Sequence, residues 1–195
     1  MAVFWIILLG AIGVAVYAFV SGSYLLLAIP AAFFGIVVYL TVIARKDAAY
    51  VPTPEPVVKQ MLEMAGLKPG ETLYDLGSGD GRIVRTAARD FGANAIGIEM
   101  DKGLISNSMR HIKAENLEEK VKIIEGNFFG TDLSAADVVT LYLRQDTNDR
   151  LVSKFKKELK PGTRIVSYTF VMTGWKPTRV ENGLFAHSRV YLYTM

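Results

Sequence analysis

Two long apolar stretches open the chain, at residues 3–20 and 24–44, with Ser-Gly-Ser between them. A helix needs about 20 apolar residues to cross the hydrocarbon core of a bilayer, so each stretch is long enough. One helix through both stretches would be about 63 Å long, roughly twice that core. The pattern therefore predicts a two-helix transmembrane hairpin over residues 1–44. A cleaved signal peptide and a buried soluble helix pair are the alternatives.

After residue 55, short apolar runs alternate with longer amphipathic stretches. This alternation predicts an α/β domain over residues 55–195, with a Rossmann-like, mainly parallel sheet that ends in an antiparallel hairpin. A first helix is predicted from Thr53, its N-cap, to Gly66. The other predicted helices are 81–91, 101–115 and 147–159, and the predicted strands are 72–76, 95–99, 121–125, 137–143, 163–168, 180–184 and 188–194.

Charge is spread unevenly along the 195 residues. All 22 basic and 19 acidic residues lie from Arg45 onward. Because Arg45 and Lys46 directly follow the second apolar stretch, the positive-inside rule predicts a membrane protein whose soluble domain faces the cytoplasm. The net charge of +3 is too small to indicate a dedicated nucleic-acid binder. The absence of cysteine excludes a thiolate nucleophile, and the presence of only two histidines argues against a multi-histidine metal site.

A glycine-rich loop, Asp75-Leu76-Gly77-Ser78-Gly79-Asp80-Gly81, joins the first predicted strand to the next helix. Glycines let backbone approach a ligand closely and a helix start offers unpaired N–H groups, so the loop predicts a nucleotide-like cofactor site. The glycine spacing is one residue shorter than in the dinucleotide fingerprint. Asp75 and Asp80 suit a cofactor that carries an ammonium or a sulfonium, such as S-adenosylmethionine (SAM), better than a pyrophosphate. An NAD-dependent oxidoreductase is the less favoured alternative.

Two further strand ends supply candidate cofactor contacts. Glu99 ends the second strand, where a carboxylate can accept hydrogen bonds from ribose hydroxyls, as it also does in NAD proteins. Met100 beside it either packs on adenine or belongs to the core. After the third strand, the amide of Asn127 can pair with the edge of adenine. The ring of Phe128 either lies against the face of adenine or belongs to the core.

The chain resembles class I, seven-β-strand SAM-dependent methyltransferases in the order of Asp75–Gly81, Glu99 and Asn127. The chain resembles more narrowly the archaeal protein-lysine methyltransferases and their mitochondrial relatives that methylate the ATP synthase c subunit and the ADP/ATP carrier. The segments that carry this narrower resemblance are Tyr50–Pro54, Asp75–Ile83, Gly126–Phe129 and Glu158–Arg164. The resemblance covers about residues 48–195. The N-terminus departs from it, because archaeal relatives are typically soluble and mitochondrial ones carry a single apolar segment.

The resemblance implies that SAM binds across the carboxyl edge of the sheet. Asp75, Gly77 and Gly79 would hold its methionine part, Glu99 the ribose, and Asn127 with its neighbours the adenine. Within a linker at 45–54, Tyr50–Thr53 would form a flap over the cofactor. The full set of predicted cofactor-binding residues is Tyr50, Thr53, Asp75, Gly77, Ser78, Gly79, Asp80, Gly81, Glu99, Met100, Asn127 and Phe128.

The predicted reaction is methyl transfer to the side-chain amine of a protein lysine, which can belong to a membrane-embedded partner. Tyr142 and Tyr168, at the ends of the fourth and fifth strands, are the candidates for shaping a lysine channel, and packing is their alternative role. The sequence leaves two other functions open. They are a SAM-dependent methyltransferase of a lipid or small hydrophobic molecule, and a non-catalytic SAM-binding protein.

Overall fold

The computed structural model describes residues 34–37, 50–185 and 187–195. Residues 34–37 are helical, and the chain divides into a unit that ends at Ala49 and a unit of Tyr50–Met195. The second unit contains strands β1 (Thr72–Leu76), β2 (Asn94–Glu99), β3 (Val121–Glu125), β4 (Val138–Leu141), β5 (Arg164–Tyr168), β6 (Arg179–Asn182) and β7 (Arg189–Thr194). Its helices are α1 (Glu55–Met64), α2 (Arg82–Phe91), α3 (Lys102–Ala114) and α4 (Gln145–Glu158).

The strands form one seven-stranded sheet in the order β3-β2-β1-β4-β5-β7-β6. The first five are parallel, and β7 pairs antiparallel with both β5 and β6. The prediction of a Rossmann-like sheet with an antiparallel C-terminal hairpin is therefore confirmed. The strand order reverses between β1 and β4, and open α/β sheets bind ligands at the carboxyl edge beside such a reversal.

Two apolar layers cover the sheet. On one face, Leu73, Val138 and Val166 from neighbouring strands pack with buried residues of α1, α2 and α3. On the other face, Val139 and Ile165 pack with buried residues of α4. Because successive side chains of a strand point to opposite faces, each central strand contributes to both layers, as expected of a parallel sheet between helices.

Helix α1 begins one residue later than the sequence indicates, and the prediction that Thr53 caps it is wrong. Pro54 is the N-cap, with φ −59° and ψ 141°, and no side chain caps the helix. Thr53 instead uses its carbonyl to accept a hydrogen bond from Arg82. The predicted end at Gly66 is confirmed, since Gly66 has φ +58° and the N–H of Leu67 donates to the carbonyl of Leu62, as in a Schellman motif.

Other boundaries shift by a few residues. The predicted strand 137–143 is shorter in the structure, where β4 covers Val138–Leu141, and α4 begins at Gln145, two residues earlier than predicted. Within the described residues, no helix is long and apolar enough to cross a membrane. Apart from residues 34–37, the predicted hairpin with its spans at 3–20 and 24–44 lies outside the described residues.

Candidate functional site

The glycine loop turns tightly at the carboxyl end of β1 and is held against β2. Gly77, Gly79 and Gly81 have φ values of +77°, +54° and +77°, which side chains of L-residues rarely adopt. The N–H groups of Gly77 and Ser78 both donate to the carbonyl of Ile98, at 2.9 and 3.1 Å. The left-handed turns aim the chain into α2, whose N-cap is Gly81.

Close approaches explain why glycine occupies particular positions around this loop. A Cβ at Gly79 would lie 2.5 Å from Cε2 of Tyr50, so the ring of Tyr50 lies directly on the loop. A Cβ at Gly81 would collide with Ser108 of α3. In β2, a Cβ at Gly97 would lie 2.6 Å from Oγ of Ser78. Gly97 and Ser108 were not among the predicted residues, because only the tertiary fold brings them to the loop.

Asp75 is a buried carboxylate on the face covered by α1 and α2. It is 2% exposed, and its Oδ1 accepts a hydrogen bond of 2.9 Å from Oγ1 of Thr140 in β4. Burial raises the pKa of Asp75 to about 7, against the Thr140 hydrogen bond and with help from the charges of Glu99 and Asp80. A cation beside Asp75 would relieve this cost, which fits a ligand that carries an ammonium.

Asp80 belongs to the same loop as Asp75, but its carboxylate faces a cation. Arg82 donates to it through Nε at 2.9 Å and through Nη2 at 2.7 Å. Burial alone would raise the pKa of Asp80, yet the hydrogen bonds and charge of Arg82 outweigh burial and lower it. The two predicted carboxylates therefore differ, since Asp80 is neutralised within the protein and Asp75 is not. Arg82 was not among the predicted residues, although its place directly after the loop was visible.

The carboxylate of Glu99 accepts hydrogen bonds from backbone N–H groups of two separate segments. Its Oε2 accepts from the N–H of Gly79 at 2.8 Å, and its Oε1 accepts from the N–H groups of Met100 and Asp101 at 2.8 and 3.0 Å. The carboxylate thus links the glycine loop to the end of β2. Met100 is 56% exposed, so it does not belong to the core.

The segment after β3 forms a short polar turn with two aromatic rings. The side-chain Oδ1 of Asn127 accepts from the N–H of Phe129 at 3.0 Å, and Asn127 is exposed. The rings of Phe128 and Phe129 lie 4.9 Å apart and both pack at the edge of the core covered by α4. Phe129 also lies 4.3 Å below the guanidinium of Arg150, which marks it as a packing residue.

The two predicted channel tyrosines meet at the carboxyl edge. Thr140 pairs with Val166 and Leu141 with Ser167, so the next positions of the same register are Tyr142 and Tyr168. Their rings lie 4.8 Å apart at an interplanar angle of 57°. Tyr168 is buried and Tyr142 half-buried, both on the face that carries α1. A Cβ at Gly183, after β6, would lie 3.0 Å from the ring of Tyr168.

A buried asparagine that the sequence pattern did not single out holds the turn after Tyr168. Asn148 of α4 donates through Nδ2 to Oγ of Ser167 and to the carbonyl of Phe170, both at 3.1 Å. Between these two partners, Thr169 has φ +70°, an uncommon conformation for a β-branched residue. Nothing in the helical pattern of α4 distinguishes Asn148 from a surface residue, so the prediction had no signal to use.

Taken together, the site offers a glycine cradle, a buried acid with no basic partner among the described residues, and an aromatic pair along one sheet edge. These features fit SAM, whose ammonium can compensate Asp75 and whose flat adenine can lie near Asn127 and Phe128. The fold and this site define a SAM-dependent methyltransferase of the Rossmann-like type.

Comparisons with known proteins agree with this class and identify a narrower family within it. Residues 75–179 match the family model of the ANTKMT methyltransferase domain, and the chain belongs to this family. A protein-lysine N-methyltransferase of Saccharolobus islandicus is 45% identical over 150 residues, which cover 75% of this chain and 92% of that protein. An adenine nucleotide translocase lysine N-methyltransferase of Mus musculus is 29% identical over 136 residues, which cover 70% of this chain and 59% of that protein.

Among solved structures, an RNA methyltransferase of Salinibacter ruber in complex with S-adenosyl-L-homocysteine superposes with a TM-score of 0.72. It is 43% identical and the match covers 74% of this chain and 93% of that one. The predicted cofactor, SAM, is confirmed by this and other methyltransferases that were solved with its demethylated product. The chain is thus an enzyme of the SAM-dependent methyltransferases, as the resemblance implied.

Proposed function

We propose that this chain transfers the methyl group of SAM to the side-chain amine of a protein lysine. The observation that carries the proposal is the 45% identity to an archaeal protein-lysine N-methyltransferase over 92% of that protein's length. SAM supplies an electrophilic methyl carbon, which forms a bond to the amine nitrogen while its bond to sulfur breaks. The protein has to align the amine with that carbon and exclude water.

The proposed cofactor contacts follow the carboxyl edge from β4 to β3. Asp75 binds the ammonium of the methionine part, because it is the loop acid whose charge Arg82 does not neutralise. Glu99 lies between the glycine loop and the end of β2, where it meets the ribose. Asn127 and Phe128 lie beyond β3 and meet adenine. The backbone of the glycine loop and the Tyr50–Thr53 segment enclose the cofactor from the side of α1.

Tyr142 and Tyr168 form the wall of the proposed lysine channel. An ammonium has no lone pair, so the lysine must lose a proton before it attacks the methyl carbon. Aromatic walls lower the pKa of the amine by desolvation, and a phenol can pass its proton towards solvent. Both rings lie on the face of Asp75, which supports a channel at the methionine end of the proposed cofactor site.

Transfer of labelled methyl groups from SAM into a native membrane fraction tests this function. We expect the label on protein lysine, identified by mass spectrometry of the digested proteins. Label in lipid would instead support the alternative of a lipid methyltransferase. Label in RNA would match the activity named for the Salinibacter relative, and tight SAM binding without any transfer would support a non-catalytic protein. Each of these three results would contradict the proposal.

We further propose that residues 1–44 anchor the enzyme in a membrane, with the catalytic domain on the cytoplasmic side. Two observations support this anchor: two apolar stretches of bilayer-spanning length, and the basic pair Arg45 and Lys46 directly after the second stretch. An anchored enzyme meets membrane-embedded substrates at a high effective concentration. The anchor would then recruit its substrate as well as localise the enzyme.

Deleting residues 1–44 is expected to leave methylation of soluble lysine substrates within about twofold and to reduce that of membrane-embedded ones by about tenfold or more. The measurement compares initial rates on a soluble peptide and on the same peptide fused to a membrane helix in vesicles. A variant with the apolar stretches replaced by an unrelated two-helix anchor is the control, and it should restore the rate on vesicles. Equal losses on both substrates would contradict recruitment.

A further inference from the structure

We propose that Arg82 is a positioning residue that holds the segment Tyr50–Thr53 on the glycine loop and so controls how long SAM stays bound. This inference rests on the proposed cofactor site and adds a residue to it. The guanidinium donates to both oxygens of Asp80 and, through Nη1, to the carbonyl of Thr53 at 2.9 Å. One side chain therefore links the loop to the segment that precedes α1.

The planar fork of arginine is necessary for this arrangement. Nε and Nη2 are occupied by Asp80, and Nη1 points away from them to Thr53. A lysine offers a point charge that can satisfy one of these partners but not both in fixed directions. Thr53 is buried, so loss of Arg82 leaves its carbonyl without this donor in a site with little access to water.

The other end of the segment rests on the same loop. The ring of Tyr50 lies on Gly79, close enough to Asp80 and Arg82 for both charges to act on its hydroxyl. Burial and the charge of Asp80 raise the pKa of Tyr50. After Thr53, Pro54 caps α1, whose Val57 and Met61 are fully buried in the core. The segment is thus fixed by the core after Thr53, by Arg82 at Thr53 and by the packing of Tyr50 on the glycine loop.

The charge of Arg82 also explains the role of Asp80. Arg82 is the first residue of α2, next to a site that receives a cationic cofactor. An unpaired guanidinium there would repel the ammonium and the sulfonium, whereas the bidentate pair with Asp80 is neutral. Asp80 therefore keeps Arg82 in place and compensates its charge, and Asp75 remains the acid for the cofactor.

The test compares full-length Arg82→Lys and Arg82→Gln with Arg89→Lys, a control on the same helix whose partners are Asp90 and Glu115 on the surface. We expect both Arg82 variants to release SAM about 10- to 100-fold faster, the range set by losing a hydrogen bond to a charged donor. Chymotryptic cleavage after the exposed Tyr50 should accelerate as well, and KM for SAM should rise by a larger factor than kcat falls, while the amide exchange of β1 and α1 stays within about threefold of the wild type. The control should match the wild type in every measurement.

Unchanged SAM release and unchanged cleavage after Tyr50 in Arg82→Lys would overturn the inference. Faster exchange throughout the domain in both variants would also overturn it, because Arg82 would then act on overall stability. If the chain does not methylate protein lysine, the experiments give a different result. In that case the wild type binds SAM and labels no lysine, and the effect of Arg82 on SAM release can still be measured.

Discussion

Replacing Asp75 by asparagine is expected to weaken SAM binding by about 10- to 100-fold and, in the absence of SAM, to make the protein more stable at neutral pH. The loss of affinity follows because the substitution removes the negative charge opposite the ammonium, and a charge-assisted hydrogen bond contributes about 1.5–3 kcal/mol. The gain in stability follows because a buried carboxylate without a counter-charge is costly to ionise. The amide oxygen of asparagine can still accept the hydrogen bond from Thr140.

The pH dependence of this effect has a definite sign. The folded-state pKa of about 7 lies above the ordinary value of 3.8, so between these values the folded protein binds the extra proton. Stability is therefore lost as the pH rises from about 4 to 7 and stays lower above 7. Asp75→Asn removes this dependence. The stabilisation should reach about 2–4 kcal/mol at pH 8 and vanish near pH 4.

The affinity of the wild type for SAM should also depend on pH. Because the ammonium binds the ionised carboxylate, affinity falls as the pH drops below about 7, and Asp75→Asn abolishes the fall. Titration calorimetry and urea unfolding at pH 5 and pH 8 measure both effects. Asp132→Asn is the control, because hydrogen bonds from Ser134 lower the pKa of this exposed acid. Its substitution should therefore change stability with the opposite dependence on pH and leave SAM affinity unchanged. Destabilisation of Asp75→Asn at pH 8, or an unchanged affinity, would contradict this account.

Removing the ring of Tyr168 or of Tyr142 by substitution with alanine is expected to lower kcat for lysine methylation by about 100-fold, with SAM affinity changed by less than about threefold. Each substitution opens the aromatic wall, admits water and loosens the alignment of the amine. The rings contact each other at 4.8 Å, so the two losses should be less than additive in the double variant. Single-turnover rates at saturating SAM separate this chemical step from cofactor binding.

The phenylalanine variants distinguish a wall from a proton acceptor. Tyr168→Phe and Tyr142→Phe keep the ring and remove only the hydroxyl. If one phenol takes part in proton transfer, its variant should lose most of the rate and show an altered pH profile. Tyr191→Phe, a half-buried tyrosine on the opposite face of the sheet, is the control. Wild-type rates in both alanine variants would show that the pair only packs and would remove it from the site.

Patterns of neighbouring residues were enough to predict the fold and the glycine loop. Alternating apolar runs and helical stripes predicted all seven strands, and Gly66 correctly marked the end of α1. The observed boundaries of helices and strands differ from the predicted ones where side chains compete for a backbone group. Thr53 illustrates this, because its predicted capping role was displaced by Pro54 and by the hydrogen bond from Arg82. The roles of the predicted site residues, and the apolar N-terminal hairpin, stay predictions.

The sequence by itself determined the class of this protein, because the glycine spacing, the acidic strand ends and the alternation of strands and helices are properties of neighbouring residues. Only the tertiary structure decided which of the two loop aspartates keeps an uncompensated charge. The burial of Asp75 and the pairing of Asp80 with Arg82 settle that question, and the hydrogen-bond donor Thr140 reaches Asp75 across 65 positions of the chain. The physical reason is that a pKa depends on burial and on through-space partners, and neither is set by distance along the sequence.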